Sequence, residues 1–193
     1  MELANKTAFI TGGASGLGLA TARNFVEAGA NVCLYDMNEE SLELAAKEFG
    51  SKASCFRGDV ADEASVKDAI KETISSFGSI HINVYSAGIG GAARTVGRDG
   101  PMPLEKFEHI IRVNLIGTFN VLRLCAEAMQ LNETQNEDQV RGVIVNVASI
   151  AAFDGQTGQA GYAASKGGIV SMTLPVARDL AKRGIRVVTV SYT

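Results

Sequence analysis

The sequence predicts an α/β fold, in which a doubly wound parallel sheet of about six strands carries helices on both faces. Short apolar runs rich in Val and Ile alternate with longer amphipathic stretches along the whole chain, as in repeated strand–helix–strand units. The apolar runs lack strict polar alternation, as expected for strands that are covered on both faces. No linker divides the 193 residues, and we therefore expect residues 1–193 to form a single domain.

Strands and helices are predicted to follow each other in a regular order. The predicted strands are Thr7–Thr11, Asn31–Tyr35, Ala53–Arg57, Ile80–Ser86, Gly142–Val147 and Ile185–Ser191. The predicted helices are Leu17–Ala28, Glu39–Glu48, Glu63–Phe77, Leu104–Leu131 and Tyr162–Arg183. The third helix shows the signature best, because its apolar residues recur every three or four positions with charged residues opposite them. The polar segment 132–141 is predicted to be a surface loop.

Composition argues against several classes of protein. The net charge of −3 offers no basic field, so we expect no nucleic-acid partner. No apolar window is long enough to span a membrane, and no leader segment is recognisable at the N-terminus. Cys33, Cys55 and Cys125 are isolated and odd in number, which predicts buried free thiols and a cytoplasmic location, with the mitochondrial matrix as the alternative. Neither histidine has a cysteine nearby, and no metal site is expected.

The first predicted strand runs directly into the glycine-rich loop TGGASGLG, and a helix follows the loop. Glycines in such a loop permit a tight turn and let backbone N–H groups approach a pyrophosphate at the helix N-terminus. The loop therefore predicts a dinucleotide site formed by Thr11, Gly12, Ser15, Gly16, Leu17 and Gly18. The alternative is a glycine-rich turn that only allows the strand and the helix to pack.

Asp36 ends the second predicted strand, in the segment NVCLYD. An acid at this place accepts hydrogen bonds from the adenosine ribose hydroxyls and repels a 2′-phosphate. The four residues that follow it include no Arg or Lys, which favours NAD over NADP as the cofactor. In the alternative interpretation, Asp36 only caps the next helix.

Tyr162 and Lys166 are separated by one helical turn in a segment made otherwise of small residues, GQAGYAASKGG. They share a helix face that we expect at the carboxyl edge of the sheet, where α/β proteins bind ligands. A lysine ammonium stabilises a neighbouring phenolate and so suits it to proton transfer. Ser149 follows the fifth strand, where its hydroxyl can bind a substrate oxygen. The alternatives are a closely packed helix and an ordinary N-cap serine.

This combination of motifs resembles the short-chain dehydrogenase/reductase family over essentially the whole chain. Besides the glycine loop, the matching positions are Asp59 and Val60 in GDV, Ala87 and Gly88 in YSAG, Asn114 in VNLIGTF, and Ser149, Tyr162 and Lys166. The resemblance implies a Rossmann fold in which Asp59 and Val60 flank the adenine. It also implies that Ala87 and Gly88 contact the cofactor.

The same resemblance implies a role for each catalytic position. Tyr162 is expected to be the general acid/base, and Ser149 is expected to position the substrate carbonyl. Lys166 is expected to bind the cofactor ribose and to tune the tyrosine. Asn114 is expected to hold a water molecule in a proton relay.

The segment 148–181 is similar to the type 2 3-hydroxyacyl-CoA dehydrogenase and 17β-hydroxysteroid dehydrogenase branch. That similarity implies an acyl-CoA substrate, hydride transfer to NAD, and a homo-oligomer formed through the helices Leu104–Leu131 and Tyr162–Arg183. Two alternatives stay open: a shortened nucleotide-binding form with little or no turnover, and a 3-oxoacyl carrier-protein reductase. Asp36 argues against the reductase, because such enzymes usually prefer NADP.

Two departures from the family pattern stand out. Tyr85 occupies the place of an Asn that braces the central sheet in the family, so the larger side chain needs another arrangement. The chain also stops after the sixth predicted strand. We therefore expect the family's C-terminal substrate loop, last helix and seventh strand to be missing from it.

Overall fold

The computed structural model describes residues 2–134 and 139–191, and residues 135–138 of the predicted surface loop lie outside the described residues. Its strands are β1 (Thr7–Thr11), β2 (Asn31–Asp36), β3 (Ala53–Arg57), β4 (Ile82–Tyr85), β5 (Val96–Gly97), β6 (Gly100–Pro101), β7 (Gly142–Val147) and β8 (Ile185–Val190). Its α-helices are α1 (Gly16–Glu27), α2 (Glu39–Phe49), α3 (Glu63–Phe77), α4 (Leu104–Ile111), α5 (Gly117–Met129) and α6 (Ala160–Ala181). A π-helical turn covers Arg112–Ile116, and 3₁₀ turns cover Gly50–Lys52 and Ile150–Ala152.

Six of these strands form one parallel sheet in the order β3-β2-β1-β4-β7-β8. This confirms the predicted doubly wound, Rossmann-like α/β fold. The central strand β1 pairs with β2 on one side and with β4 on the other. The strand order therefore reverses around β1, and this reversal opens a crevice at the carboxyl edge of the sheet.

The two faces of the sheet bury two hydrophobic clusters. Phe9, Tyr85 and Ile144 lie in the cluster that also contains buried side chains of α3 and α5. Ile10 and Leu34 lie in the opposite cluster, with buried side chains of α1 and α2. All of β1 is buried, which explains why its sequence lacks polar alternation.

Helix boundaries follow local capping chemistry. Asp62 accepts hydrogen bonds from Ala64 and Ser65 at the start of α3, and Gly78 ends that helix in the left-handed conformation, with a φ of 83°. Asn38 caps α2 by accepting a hydrogen bond from the backbone N–H of Ser41. These caps satisfy backbone groups that a helix end leaves without partners.

Three sequence predictions need correction. The helix predicted over Leu104–Leu131 is interrupted by the π-helical turn, which the apolar periodicity did not reveal. The segment between β4 and α4, for which no strand was predicted, contains the small antiparallel pair of β5 and β6. Cys55 is only partly buried, whereas Cys33 and Cys125 are buried free thiols as predicted, and burial raises the pKa of Cys33 to about 12.

Membrane-spanning helices and clusters of metal ligands are both absent from the described residues. Among these residues, no helix is both long and apolar enough to cross a membrane. Within the same part of the chain, His, Cys, Asp and Glu side chains form no group of three or more that could hold a metal ion.

Candidate active site

Two adjoining clefts open at the carboxyl edge of the sheet, with volumes of about 420 Å³ and 360 Å³. We call the larger one the catalytic cleft and the smaller one the nucleotide cleft. Both clefts are lined by Leu17, Ser86, Gly88 and Ile89. Because these residues come from the glycine loop and from the loop after β4, the two clefts form one continuous groove across the switch point of the sheet.

The glycine loop is shaped by close contacts between backbone segments. Gly12 has a φ of 63°, and its N–H donates to Tyr35 O at 2.9 Å. A Cβ added to Gly18 would lie 2.1 Å from Gly12 O, so a side chain at this position is excluded. Ser15, at the N-cap of α1, makes no side-chain capping bond. The first turn of that helix therefore keeps N–H groups available for an anion.

Asp36 lines the nucleotide cleft and fixes the loops around it. Its Oδ1 accepts a hydrogen bond from Asn38 N at 3.0 Å, and its Oδ2 accepts one from Ala14 N at 3.2 Å. The N-cap of α2 is Asn38, so the alternative that Asp36 merely caps this helix is wrong. The pairing of β2 with β3 places Arg57 beside Asp36. The sequence analysis did not predict this neighbour. Arg57 Nη1 lies 3.4 Å from Glu39 Oε2, with which it forms an ion pair.

The predicted adenine contacts lie at the same cleft. Asp59, Val60, Ala87 and Gly88 all line it, together with Gly12, Ser15, Gly16, Leu17 and Asp36. Asp59 Oδ1 accepts a hydrogen bond from Ala61 N at 2.8 Å, which closes a turn after β3.

Thr11 and Gly18 do not line either cleft. Thr11 is buried, its Oγ1 accepts a hydrogen bond from Ala87 N at 3.3 Å, and its carbonyl accepts one from Ser86 Oγ at 2.6 Å. Gly18 is also buried. Both residues therefore shape the floor of the groove from below.

Ser149, Tyr162 and Lys166 come together on the wall of the catalytic cleft. Lys166 is only 5% exposed, and its Nζ donates to Val147 O at 2.7 Å. The same Nζ lies 5.8 Å from the centre of the Tyr162 ring. Burial lowers the pKa of Lys166 to about 8, so the ammonium beside the phenol loses its proton near that pH.

Ser149 caps a turn and also lies at the catalytic cleft. Its Oγ accepts a hydrogen bond from Ala151 N at 3.2 Å and so caps the 3₁₀ turn that follows β7. The side chain also lines the catalytic cleft. Because the hydroxyl acts as an acceptor in the cap, its proton stays available for donation to a ligand.

Asn114 lies behind the groove and does not line either cleft. It is fully buried in the π-helical turn. Its Nδ2 donates to Ile89 O at 2.9 Å and to Ser165 Oγ at 3.1 Å, and its Oδ1 accepts from Ile89 N at 2.8 Å. A Cβ added to Gly88 would lie 3.4 Å from Asn114 Oδ1 and 3.7 Å from Lys166 Nζ, so Gly88 lies close to both side chains.

The small residues of α6 also allow close packing, on a different face from the cleft. A Cβ added to Gly168 would lie 2.8 Å from a methyl carbon of Leu115. A Cβ added to Gly161 would lie 3.3 Å from side chains of α4. The close-packing explanation of the small-residue segment is therefore correct for this face of the helix, and the active-site interpretation of the other face stays a prediction.

Several lining residues escaped the sequence analysis. The catalytic cleft also includes Ser86, Ile89 and Gln159, and the nucleotide cleft also includes Tyr35, Met37, Gly58 and Val113. The sequence feature that could have indicated Ser86, Met37 and Gly58 is their place directly after the end of a parallel strand. Val113 carried no such signal, because its place depends on the π-helical turn.

Comparisons with known proteins add a second kind of observation. The family model for short chain dehydrogenase matches residues 6–192. The 3-hydroxyacyl-CoA dehydrogenase type-2 of Bos taurus is 50% identical over 186 residues, which are 95% of this chain and 71% of that protein. A crystal structure of 3-hydroxyacyl-CoA dehydrogenase type-2 from Mycobacterium avium has a TM-score of 0.93 at 37% identity, covering 99% of this chain and 76% of that one. The 3-oxoacyl-[acyl-carrier-protein] reductase of Thermotoga maritima is 36% identical over 190 residues, which are 97% of this chain and 73% of the reductase.

Proposed function

We propose that this chain, which belongs to the short-chain dehydrogenase/reductase family, oxidises the secondary alcohol of a 3-hydroxyacyl-CoA to the ketone with NAD as hydride acceptor. Members of the family are oxidoreductases that use a nicotinamide cofactor. The observation that carries the proposal is the continuous groove with Asp36 at one end and Ser149, Tyr162 and Lys166 at the other.

The residues that line the groove support the binding of a dinucleotide. Gly16 has open space around the place of its missing Cβ, and it begins a helix whose first turn can bind a pyrophosphate through N–H groups. Asp36 would hold the adenosine ribose, while Val60 and Ala87 would border the adenine. Lys166 would hold the ribose of the nicotinamide half, because its ammonium has three donors and only one is directed at Val147 O.

Asp36 is the basis for proposing NAD. Its carboxylate would repel the additional phosphate of NADP. Arg57 is the one neighbour in the β2–β3 register that could attract this phosphate, and its ion pair with Glu39 lowers that tendency. An exposed pair of this kind is weak, so the preference depends on the acid itself.

Each of the three catalytic residues has its own role in the proposed proton transfer. Ser149 Oγ donates to the substrate oxygen and holds it next to Tyr162 Oη. In the oxidative direction the Tyr162 phenolate takes the proton of the substrate hydroxyl, and in the reverse direction it returns that proton. Lys166 favours the phenolate by its positive charge. The bound nicotinamide cofactor supplies the site that accepts or donates the hydride.

Asn114 has a structural part in this arrangement. Its amide group fixes both backbone groups of Ile89 and thus the loop that lies beside Lys166. Its Oδ1 keeps one lone pair beyond the bond from Ile89 N, which is the acceptor that a relay water would use. The relay water itself remains a prediction from the family resemblance.

The acyl-CoA substrate is proposed from the relatives. The Bos taurus relative, named for 3-hydroxyacyl-CoA, is 50% identical, whereas the Thermotoga maritima relative, named for a carrier-protein thioester, is 36% identical. The second candidate, a reductase of carrier-protein thioesters, is also disfavoured by Asp36. A nucleotide-binding form with little or no turnover is the remaining alternative, because it would share every motif of the nucleotide cleft.

We further propose that two copies associate through α5 and α6. These helices border a groove of about 480 Å³ in which Phe119 is 49% exposed. Arg123, Glu127 and Asp179 place charges of both signs on this groove, and such a surface can pair with its own copy. The molar mass in solution, measured by light scattering, tests this association.

The experiment for the proposed function has two stages. NADH is titrated first by fluorescence, with NADPH in parallel, and the reduction of NAD by 3-hydroxybutyryl-CoA is then followed by absorbance. We expect tighter binding of NADH and turnover of the acyl-CoA. Binding without turnover would favour the nucleotide-binding form, and turnover only of the 3-oxoacyl carrier-protein thioester with NADPH would favour the reductase.

A further inference from the structure

Tyr85 is a large polar side chain that β4 directs into the hydrophobic core. It ends β4 and is fully buried. Its hydroxyl donates to Val113 O at 2.8 Å, across 28 positions of sequence. A buried phenol hydroxyl is costly unless it is hydrogen-bonded, so this bond offsets part of the cost of burying the side chain.

The acceptor is a carbonyl group of the π-helical turn. In a regular α-helix the N–H of Gly117 would donate to Val113 O, four residues earlier. In this protein the N–H of Gly117 donates to Arg112 O instead. Tyr85 therefore donates to a carbonyl that the π-helical turn deprives of this helical partner.

Gly117 makes the contact possible. A Cβ at this position would lie 2.6 Å from Tyr85 Oη and 2.6 Å from Val60 Cγ2. The hydroxyl consequently approaches the helix backbone at a point where only glycine leaves room. The tyrosine on the strand thus fits against the helix because the residue that faces its hydroxyl is a glycine.

The same turn is connected a second time to the strand that carries Tyr85. Ile89, in the loop that follows β4, exchanges hydrogen bonds with the side chain of Asn114 at 2.8 and 2.9 Å, and Asn114 directly follows Val113. The segment from Tyr85 to Ile89 is therefore fixed to the π-helical turn at both of its ends. Gly88, in the middle of this segment, lines both clefts.

We propose that Tyr85 is a positioning residue, which holds the π-helical turn at the distance from β4 that Asn114 needs to fix the Gly88–Ile89 floor of the catalytic cleft. The consequence for catalysis rests on the proposed function, but the effect on the loop does not. Tyr85 acts through Val113, Asn114 and Ile89, and it lines neither cleft.

The test compares Tyr85→Phe with Tyr35→Phe. Tyr35 is the matched control, because it is an equally buried tyrosine of the neighbouring part of the sheet, and its hydroxyl bonds Asp59 O and Ser65 Oγ. Amide hydrogen exchange at Ile89 is measured by NMR on the protein without substrate. The kcat and the KM for NAD are measured on Tyr85→Phe and the unsubstituted chain alone, because Tyr35 lines the nucleotide cleft.

We expect Tyr85→Phe to speed exchange at Ile89 about tenfold, as the loss of one buried hydrogen bond implies. It should lower kcat while leaving the KM for NAD within about twofold, since the loop keeps its backbone course. Tyr35→Phe should leave the exchange at Ile89 unchanged. Gly117→Ala, which displaces the hydroxyl but keeps the tyrosine, should reproduce the faster exchange.

Equal exchange at Ile89 in Tyr85→Phe and the unsubstituted chain would overturn the proposal, and so would an equal acceleration in Tyr35→Phe. If Tyr85→Phe does not fold, Gly117→Ala supplies the same comparison with the tyrosine in place. If the unsubstituted chain shows no turnover, the proposed function fails. The exchange measurement still decides whether Tyr85 positions the loop.

Discussion

The side chains that line the groove are held by different kinds of hydrogen bond on the two sides of β1. On the side of β2 and β3, Asp36 and Asp59 each accept a hydrogen bond from the backbone N–H two residues further along the chain. On the side of β4 and β7, Lys166 bonds a carbonyl 19 positions away and Asn114 bonds a loop 25 positions away. Local turns thus hold one oxygen of each acid on the nucleotide side, where Asp36 also accepts a bond from Ala14 N, 22 positions away. The side chains of Lys166 and Asn114, in contrast, are held by bonds to distant segments.

Burial separates the two sides as well. Asp36 is half-buried and Ser15 is exposed, whereas Lys166 is 5% exposed and Asn114 is fully buried. A half-buried carboxylate can exchange water for a ribose with little rearrangement. A buried ammonium, in contrast, has its charge controlled by its surroundings. We therefore expect substitutions on the nucleotide side to change binding and substitutions of Ser149 and Tyr162 to change turnover. Lys166, which would hold the cofactor ribose as well, is expected to affect both.

The largest effect on binding is expected from Gly18→Ala. The added Cβ would lie 2.1 Å from Gly12 O, and overpacking of this severity should weaken NADH binding about 100-fold. Gly97→Ala is the matched control, because its Cβ would meet its nearest neighbour at 3.8 Å. Fluorescence titration gives the Kd, and unchanged affinity in Gly18→Ala would mean that the cofactor does not use this loop.

A smaller loss is expected from Asp36→Asn, which keeps one carbonyl oxygen but removes the charge. The Kd for NADH should rise about tenfold, since hydrogen bonds to charged groups are stronger than neutral ones. The Kd for NADPH should fall, because the carboxylate no longer repels the 2′-phosphate and Arg57 remains beside the site. The double variant Asp36→Asn/Arg57→Gln should lose this gain in affinity for NADPH. Titrations of both variants with NADH and with NADPH check these changes.

Raising the pH should weaken binding through Lys166. Burial lowers the pKa of Lys166 to about 8, so the ammonium is present below that pH and is lost as the pH rises through it. We expect the Kd for NADH to be about fivefold higher at about pH 9.5 than at about pH 7, through loss of one charged donor. Lys166→Met should flatten this dependence, and an equally steep curve in that variant would assign the titration to another group.

The smallest effect is expected from Asn146→Leu. Asn146 is fully buried on β7 beside Tyr85, and neither polar atom of its side chain has a hydrogen-bond partner among the described residues. Its replacement should change the free energy of unfolding by less than about 1 kcal/mol. Asn83→Leu is the control, because Asn83 Nδ2 donates to Phe9 O at 3.1 Å. A comparable result for both variants in denaturant unfolding would contradict this interpretation.

The difference between local and long-range contacts also explains which features could be predicted from the sequence. The strands, the glycine loop and Asp36 follow from apolar runs and turn residues, which act over a few positions and are visible in the sequence. Arg57 was missed because strand register places it beside Asp36. The π-helical turn was missed because its stabilising partner, Tyr85, lies 28 positions away from Val113.

In this account the nucleotide side binds the cofactor, and Tyr162 on the catalytic side transfers the proton. The most direct test measures the Kd for NADH and the kcat with 3-hydroxybutyryl-CoA on one preparation of Tyr162→Phe. We predict a Kd within about twofold of the unsubstituted chain and a kcat lower by about 1,000-fold, as for the loss of a general acid/base. An unchanged kcat, or a kcat and a binding affinity that fall together, would contradict the claim.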